Sequence, residues 1–158
     1  LARATAETGD AQQRPRGAAI DLGCGSGLIA TWLASQGWST TAIDVSRYAL
    51  LSTQLTARAQ NAEVALRRAD GLVGVPHDSV DLIVSNPPFH RGAAKDSTPT
   101  FAMIAAAKAA LHPGGELWLV FNSHLPYLPA LRAQVGPTTV EAQDRSFIVT
   151  RTLKEPTR

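Results

Sequence analysis

The stretch that decides the fold covers residues 18–28 and reads Ala-Ala-Ile-Asp-Leu-Gly-Cys-Gly-Ser-Gly-Leu. Ala18–Leu22 has the apolar character of a short buried strand, and residues 28–36 have the composition of a helix that Gly37 ends. Three glycines between a strand and a helix permit a tight turn and let a ligand approach the backbone closely. The stretch therefore predicts a strand–loop–helix unit of an α/β domain with a ligand-binding loop.

The same alternation of strands and helices continues along the chain. It predicts a doubly wound, Rossmann-like α/β sheet of seven strands, mostly parallel and joined by right-handed crossovers. Only Asp144 and Arg145 separate the last two strands, which excludes a crossover there and makes the last strand antiparallel. The predicted strands are 18–22, 40–44, 62–68, 80–85, 116–121, 138–143 and 146–153, and the predicted helices are 28–36, 46–61, 98–111 and 125–135.

Length and composition narrow the class of protein. The 158 residues suit one domain with a real core, and a hydrophobic fraction of 44% disfavours global disorder. The net charge of +2 is compatible with an RNA partner, although dense Lys/Arg clusters are absent from the sequence. The single cysteine, Cys24, excludes an internal disulfide and fits a reducing, cytoplasmic location.

The N-terminal segment contains no candidate site residue. Residues 1–17 are polar and contain Gly9, Pro15 and Gly17, which predicts a linker or a frayed N-terminal segment before a domain at 18–158. Because the first residue is Leu1 and not Met, we expect a fragment or domain of a longer protein. No apolar run approaches the roughly 18 residues of a membrane span, so no membrane partner is expected.

Polar residues lie at or next to the carboxyl ends of four successive strands of the predicted sheet. Asp21 precedes the glycine loop, Asp44 ends the second strand, Asp70 follows the third and Asn86 follows the fourth. Ligands of open α/β sheets bind at the carboxyl ends of strands, and an acidic residue placed like Asp44 can accept hydrogen bonds from ribose hydroxyls. Each residue alone has a structural alternative, such as a helix cap or a turn, but the ordered set favours a binding site.

The glycine spacing restricts the ligand. Gly23, Gly25 and Gly27 differ from the dinucleotide fingerprint G-x-G-x-x-G, because the third glycine comes one residue early and Leu28 fills its slot. This spacing disfavours an NAD-dependent oxidoreductase. Cys24 has the simpler interpretation of a small residue in a tight loop.

The segment Asn86-Pro87-Pro88-Phe89 is the most unusual motif of the chain. Its prolines fix φ at about −65° and remove two backbone donors, which leaves a stiff tip with an amide, bare carbonyls and an aromatic face. The Asn86 side-chain oxygen and the Pro87 carbonyl can accept both N–H groups of a planar NH2, while Phe89 stacks on the ring that carries it. The alternative is a rigid strand-ending turn with Phe89 in the core.

The neighbouring residues suggest further contacts. His90 is a candidate substrate contact, and Arg91 could bind phosphate, with solvated surface residues as the alternative for both. No His/Cys/Asp cluster has metal-ligand spacing, so we expect no metal site. Ser26 and Ser85 have no local His partner that would indicate a catalytic triad.

These features resemble the bacterial ribosomal RNA guanine-N2 methyltransferases, of the small-subunit methyltransferase C type and the large-subunit methyltransferase G type. The resemblance covers nearly the whole chain from residue 18 to residue 154. The glycine loop is generic to methyltransferases that depend on S-adenosylmethionine (SAM), whereas the other motifs are more specific. The motifs are the loop 21–27, Ser-Asn-Pro-Pro-Phe-His at 85–90, Gly-Gly-Glu-Leu at 114–117, His-Leu-Pro-Tyr at 124–127 and Phe-Ile-Val at 147–149.

The resemblance implies a class I methyltransferase fold, SAM as cofactor, a guanine 2-amino group as acceptor, and ribosomal RNA or one of the ribosomal subunits as partner. It also implies an adenine contact at Asp70. The site residues expected on this basis fall into three groups. They are Asp21, Gly23, Gly25, Gly27, Asp44, Asp70 and Asn86 for the cofactor, Asn86, Pro87, Pro88 and Phe89 for catalysis, and Phe89, His90 and Arg91 for the substrate.

Two departures from the family and three alternatives stay open at this point. Family members typically carry an N-terminal RNA-recognition domain that this sequence lacks, and Arg91 stands where an acidic residue often follows the His. The tip would also serve methylation of a protein glutamine amide, although Tyr is more common there at the Phe89 position. Adenine N6 is another possible acceptor, and a non-catalytic SAM- or RNA-binding domain is the third alternative.

Overall fold

The computed structural model describes residues 16–87 and 98–156. Within these ranges the chain forms seven strands and four helices. In chain order they are β1 Ala18–Leu22, α1 Leu28–Ser35, β2 Ser39–Asp44, α2 Arg47–Ala59, β3 Val64–Arg68, β4 Val80–Ser85, α3 Thr98–Ala110, β5 Leu111–Asn122, α4 Tyr127–Gln134, β6 Thr138–Gln143 and β7 Phe147–Leu153.

The strands form one sheet in the order β3-β2-β1-β4-β5-β7-β6. Strands β1 to β5 pair in parallel, and β7 is antiparallel to both of its neighbours, β5 and β6. The predicted seven-stranded sheet with an antiparallel last strand is therefore confirmed. Strands β2 and β3 extend the sheet on one side of β1, and β4 and β5 extend it on the other side. The order in which strands are added therefore reverses between β1 and β4, although the two strands are parallel.

Helices cover both faces of the sheet, as a doubly wound fold requires. The main core lies on the α3–α4 face, where Ile104 and Leu131 pack on central strand residues such as Ile83 and Leu117. On the other face Leu33 of α1 packs against Leu82 of β4. The central strands are buried on both faces, which explains why β1 is apolar except for the buried Asp21.

The segment 112–115 differs most from the sequence expectation. His-Pro-Gly-Gly was expected to separate helix from strand, yet β5 already begins at Leu111, whose partner is Val80. The register then shifts before Leu82, so the extra residues form an irregularity inside the strand. Lys154 holds it, because its Nζ donates to the Leu111 carbonyl and to Asp78 at 2.6 Å each. This tertiary contact had no local signal in the sequence.

Other boundaries differ by a few residues. Helix α4 begins at Tyr127 and not at Leu125, because the Leu125 N–H closes a turn on the Asn122 carbonyl and Pro126 occupies the N-cap. Ser46 is the N-cap of α2, with its hydroxyl accepting from the Ala49 N–H at 3.3 Å. Most of the predicted linker at 1–17 lies outside the described residues.

All three tryptophans of the sequence line one apolar groove on the α1 face of the sheet. The groove has a volume of about 650 Å³ and is bordered by Trp32, Trp38 and Trp118, with Leu82 in its wall. Trp32 is 59% exposed there. Among the described helices, none combines the length and apolar character that crossing a bilayer requires.

Candidate functional site

A cavity of about 520 Å³ opens at the carboxyl edge of the sheet, where the strand order reverses between β1 and β4. This is the position at which open α/β sheets bind ligands. Five residues expected from the sequence line it together, namely Gly23, Gly25, Asp44, Asn86 and Pro87. The rest of the lining consists of Leu22, Ile43, Val45, Ser46, Ala49, Ala69, Gly71, Ser85, Pro99, Thr100 and Met103.

The glycine loop is held from β2 and α2. The Gly23 and Cys24 N–H groups both donate to the Ile43 carbonyl, at 2.8 and 3.2 Å. From α2, the Thr56 hydroxyl donates to the Ser26 carbonyl at 2.7 Å, and the Thr53 hydroxyl donates to the Cys24 sulfur at 3.2 Å. These threonines were missed by the sequence analysis, because nothing local marks a side chain that contacts a loop some 30 residues away.

The three glycines of the loop have different structural roles. All have positive φ, +76° at Gly23, +51° at Gly25 and +79° at Gly27, which favours glycine. A Cβ on Gly23 would meet no atom within 4 Å, and one on Gly25 would meet only the Gly23 carbonyl oxygen at 4.0 Å. A Cβ on Gly27 would overlap Thr53 at 2.6 Å. Gly23 and Gly25 therefore leave room for a ligand, whereas Gly27 permits helix packing and does not line the cavity.

Asp44 connects the loop with the start of α2. Its Oδ2 accepts from the Gly25 N–H at 3.2 Å, and its Oδ1 accepts from the Ser46 N–H at 2.8 Å. The carboxylate remains half-buried in the cavity wall. Asp44 therefore closes the turn before α2 and does not cap the helix, whose N-cap is Ser46. Its contact with a ligand stays a prediction.

Asn86 follows β4 beside the end of β1. Leu22 and Ser85 are register partners, and the buried Ser85 hydroxyl donates to the Leu22 carbonyl at 2.8 Å. This bond fixes the end of β4 against the strand that leads into the glycine loop. Asn86 and Pro87 therefore enter the cavity from a rigid base. The predictions for Pro88, Phe89, His90 and Arg91 lie outside the described residues.

Asp21 lies beneath the loop and outside the cavity lining. Its side chain is 2% exposed, and Oδ2 accepts from the Ala30 N–H at 2.8 Å, which ties β1 to α1. Burial raises the pKa of Asp21 to about 6; the hydrogen bond from Ala30 opposes this shift, and the nearby charge of Asp44 adds to it. Asp21 supports the loop in this geometry, and its direct contact with a cofactor stays a prediction.

The buried carboxyl of Asp21 should make stability depend on pH. Between its ordinary pKa of 3.8 and about 6, the folded protein holds a proton that the unfolded chain lacks. The contribution of Asp21 to the free energy of unfolding should therefore fall by about 2–3 kcal/mol as pH rises through this window. Asp21→Asn cannot titrate, so the variant should gain stability relative to wild type over the same window. Urea unfolding of both proteins at about pH 4 and about pH 7 measures the difference; a difference independent of pH would contradict the assignment.

Asp70 is exposed and does not line the cavity, although its neighbours Ala69 and Gly71 do. Its predicted adenine contact stays a prediction. The sequence analysis also missed Pro99, Thr100 and Met103, which reach the cavity from the start of α3. Within the two described ranges, no group of His, Cys, Asp and Glu could hold a metal ion.

Comparison with known proteins agrees with this geometry. The family model for the methyltransferase small domain matches residues 8–151. Ribosomal RNA large subunit methyltransferase G of Streptomyces coelicolor is 41% identical over 140 residues, which are 86% of this chain and 37% of that protein. Ribosomal RNA small subunit methyltransferase C of Chromohalobacter salexigens is 39% identical over 135 residues, which are 85% of this chain and 40% of that protein.

A solved structure is similar as well. The T. Thermophilus 16S rRNA N2 methyltransferase RsmC, in complex with AdoMet and guanosine, is 28% identical with a TM-score of 0.80. The match covers 90% of this chain and 38% of that one, so the chain spans about two fifths of the length of these relatives. The match to RsmC confirms the expected class I methyltransferase fold. Because the family model matches residues 8–151, most of the chain, this protein belongs to the methyltransferase small domain family.

Proposed function

We propose that this domain transfers the methyl group of SAM to the 2-amino group of a guanine in ribosomal RNA. The observation that carries the proposal is the position of Asn86, which lines the same cavity as Gly23, Gly25 and Asp44. An amide acceptor beside a nucleoside-type site suits a substrate with a planar NH2 group. The named relatives support ribosomal RNA as the acceptor and AdoMet as the donor.

The residues of the cavity fit SAM. Gly23 and Gly25 leave a cradle that a Cβ would fill, and the Asp44 carboxylate can accept from ribose hydroxyls. Ile43, Val45 and Ala69 supply apolar wall for an adenine ring. When bound, SAM supplies an electrophilic methyl group on a sulfonium.

Asn86 and Pro87 would orient the acceptor amine. The lone pair of a guanine 2-amino group is delocalised into the ring, so the free amine is a poor nucleophile. The Asn86 Oδ1 and the Pro87 carbonyl can accept its two N–H bonds and turn the lone pair towards the glycine loop. Positioning and electrostatics then carry the rate without a covalent intermediate. In this proposal Phe89 stacks on the base, and His90 and Arg91 contact the RNA.

A transfer assay with labelled SAM tests the proposal. The protein is offered unmodified ribosomal RNA, both ribosomal subunits and a total protein extract, and the labelled product is digested for mass spectrometry. N2-methylguanosine in one RNA is the expected result. Label in protein or in N6-methyladenosine would overturn the acceptor, and no transfer despite measurable SAM binding would overturn the activity of this domain on its own.

Asp44→Ala should weaken SAM binding by roughly tenfold to a hundredfold, because charge-assisted hydrogen bonds contribute about 1.5–3 kcal/mol. At saturating SAM, kcat should change little. Calorimetric titration measures Kd, and the transfer assay measures kcat. Asp44→Asn keeps an acceptor for the Ser46 N–H and should have a smaller effect on Kd. A kcat defect with unchanged SAM affinity would contradict the ribose assignment.

The reaction would take place in the cytoplasm, where ribosomal RNA is the partner. Burial raises the pKa of the Cys24 thiol, so the thiol stays protonated at neutral pH. A buried, protonated thiol suits a reducing compartment and needs no role in the transfer.

A further inference from the structure

The turn between β6 and β7 lies at the same edge of the sheet as the cavity, since β6 runs in the direction of β5. The carboxylate of Asp144 closes this turn. Its Oδ1 accepts from the N–H groups of Ser146 and Phe147 at 2.7 Å each, and the Asp144 N–H donates to the Phe147 carbonyl at 2.9 Å. These backbone bonds lower the pKa of Asp144, so the turn stays closed at neutral pH.

The turn is also attached to the end of β5. The Ser123 N–H donates to the Ser146 carbonyl at 2.9 Å, and the Ser123 hydroxyl donates to the Arg145 carbonyl at 3.3 Å. Phe147 and Asn122 are register partners. The chain therefore holds the backbone of this turn at four residues and leaves the side chains of Arg145 and Phe147 at the surface.

Three aromatic rings connect α3, α4 and the carboxyl end of β5. Phe101 of α3 packs edge-on against Tyr127 at 5.6 Å, and Tyr127 packs against Phe121 of β5 at 5.3 Å. The preceding residue of α3, Thr100, lines the cavity. Two strand spacings separate β4 from β7, so the turn lies about 10–15 Å from the Asn86 tip.

The two side chains have the chemistry of a single-strand platform. Arg145 is exposed, and within residues 16–87 and 98–156 its guanidinium makes no hydrogen bond or ion pair. The Phe147 ring is 40% exposed. Proteins bind single-stranded RNA by combining an arginine for the phosphate with an aromatic face for an unstacked base.

We propose that the β6–β7 turn, residues 144–147, is a docking edge for the RNA strand beside the target guanine. Arg145 binds a backbone phosphate, and Phe147 stacks on an unpaired base a few nucleotides from the one that Asn86 receives. This inference rests on the proposed function, because it takes the substrate to be RNA. A protein substrate on the same edge would be a different proposal and is an outcome of the test.

The first test is a charge reversal with a matched control. Arg145→Glu should weaken binding of a short fluorescein-labelled oligoribonucleotide by about tenfold in anisotropy titrations, and Arg145→Ala should reduce the salt slope of log K by about 0.7. Arg58→Glu makes the same charge change at the end of α2, on the opposite edge of the sheet, and should leave RNA binding unchanged. Equal losses in both Glu variants would mean a bulk charge effect and would overturn the docking edge.

The second test concerns the ring. Phe147→Leu keeps apolar packing but removes the stacking face and should weaken RNA binding about tenfold, whereas Phe147→Tyr should restore it. SAM affinity and methylation of free guanosine should stay unchanged in each variant, since neither involves the turn. Loss of SAM affinity would indicate misfolding of the site and would overturn the assignment.

The readouts separate this inference from the proposed function. RNA binding that depends on Arg145 supports the docking edge, even where the transfer assay detects no methylated guanine. If guanine is methylated and RNA affinity is unchanged in the Arg145 and Phe147 variants, the docking edge is overturned and the proposed function is not. Transfer to a protein that requires Arg145 overturns both.

Discussion

Asn86→Ala should reduce kcat for methyl transfer to RNA by roughly a hundredfold or more and leave SAM affinity unchanged. A preorganised acceptor that acts only on the reacting group is worth about 10²–10³ in rate when removed. Asn86 has this character, because the Ser85–Leu22 bond fixes the strand end that carries it. Single-turnover kinetics with labelled SAM measure kcat, and calorimetry measures Kd.

Two further variants make this result specific. Asn86→Gln keeps the amide but moves it by one methylene, and it should also lose most of the rate if position is what matters. Asn61→Gly removes an amide at the other edge of the sheet, where a φ of +50° suits glycine, and should change neither quantity. A collapse of SAM affinity in Asn86→Ala would assign the residue to the cofactor and not to the acceptor.

Gly27→Ala should destabilise the fold by about 2–5 kcal/mol, from left-handed strain and overlap in a packed contact. The φ of Gly27 is +79°, and the added Cβ would lie 2.6 Å from the Thr53 Cα, a backbone atom that cannot rotate away. Helix α1 would have to separate from α2 or lose its first turn. The midpoint of urea unfolding should fall accordingly.

Gly23→Ala is the matched control for Gly27→Ala. Its φ of +76° imposes similar strain, but the new methyl group would have open space around it. The variant should lose only about 1–2 kcal/mol of stability, and the methyl group should instead obstruct the cavity and weaken SAM binding. Equal stability losses in the two variants would show that packing against Thr53 is not the deciding contribution.

The sequence predicted the architecture well where signals are local. Ala18–Leu22 and the helix after Gly27 follow from an apolar run, glycines and a helix stop, and the short gap at 144–145 excluded a crossover. The strand order and the early start of β5 depend on partners far away in the chain. Lys154, which holds the segment 112–115, is one such partner.

The candidate site was predictable to a similar degree. Gly23 and Asn86 directly follow strands, and Asp44 ends one. Parallel strands bring their carboxyl ends together, so the convergence of these residues could be expected. Nothing in the sequence separates Asp21, buried beneath the loop, from Asp44 at the cavity, because both are acidic residues at strand ends. Thr100 reaches the site through helix packing, which leaves no local pattern.

The tryptophan groove on the α1 face determines how ligand binding can be observed. The groove and the cavity share no lining residue. Emission from Trp32, Trp38 and Trp118 should therefore change when the sheet loses α1, and should barely respond when a ligand enters the cavity. Intrinsic fluorescence therefore reports on the folding of the glycine variants. Binding of a ligand in the cavity has to be followed with a labelled or otherwise detectable ligand.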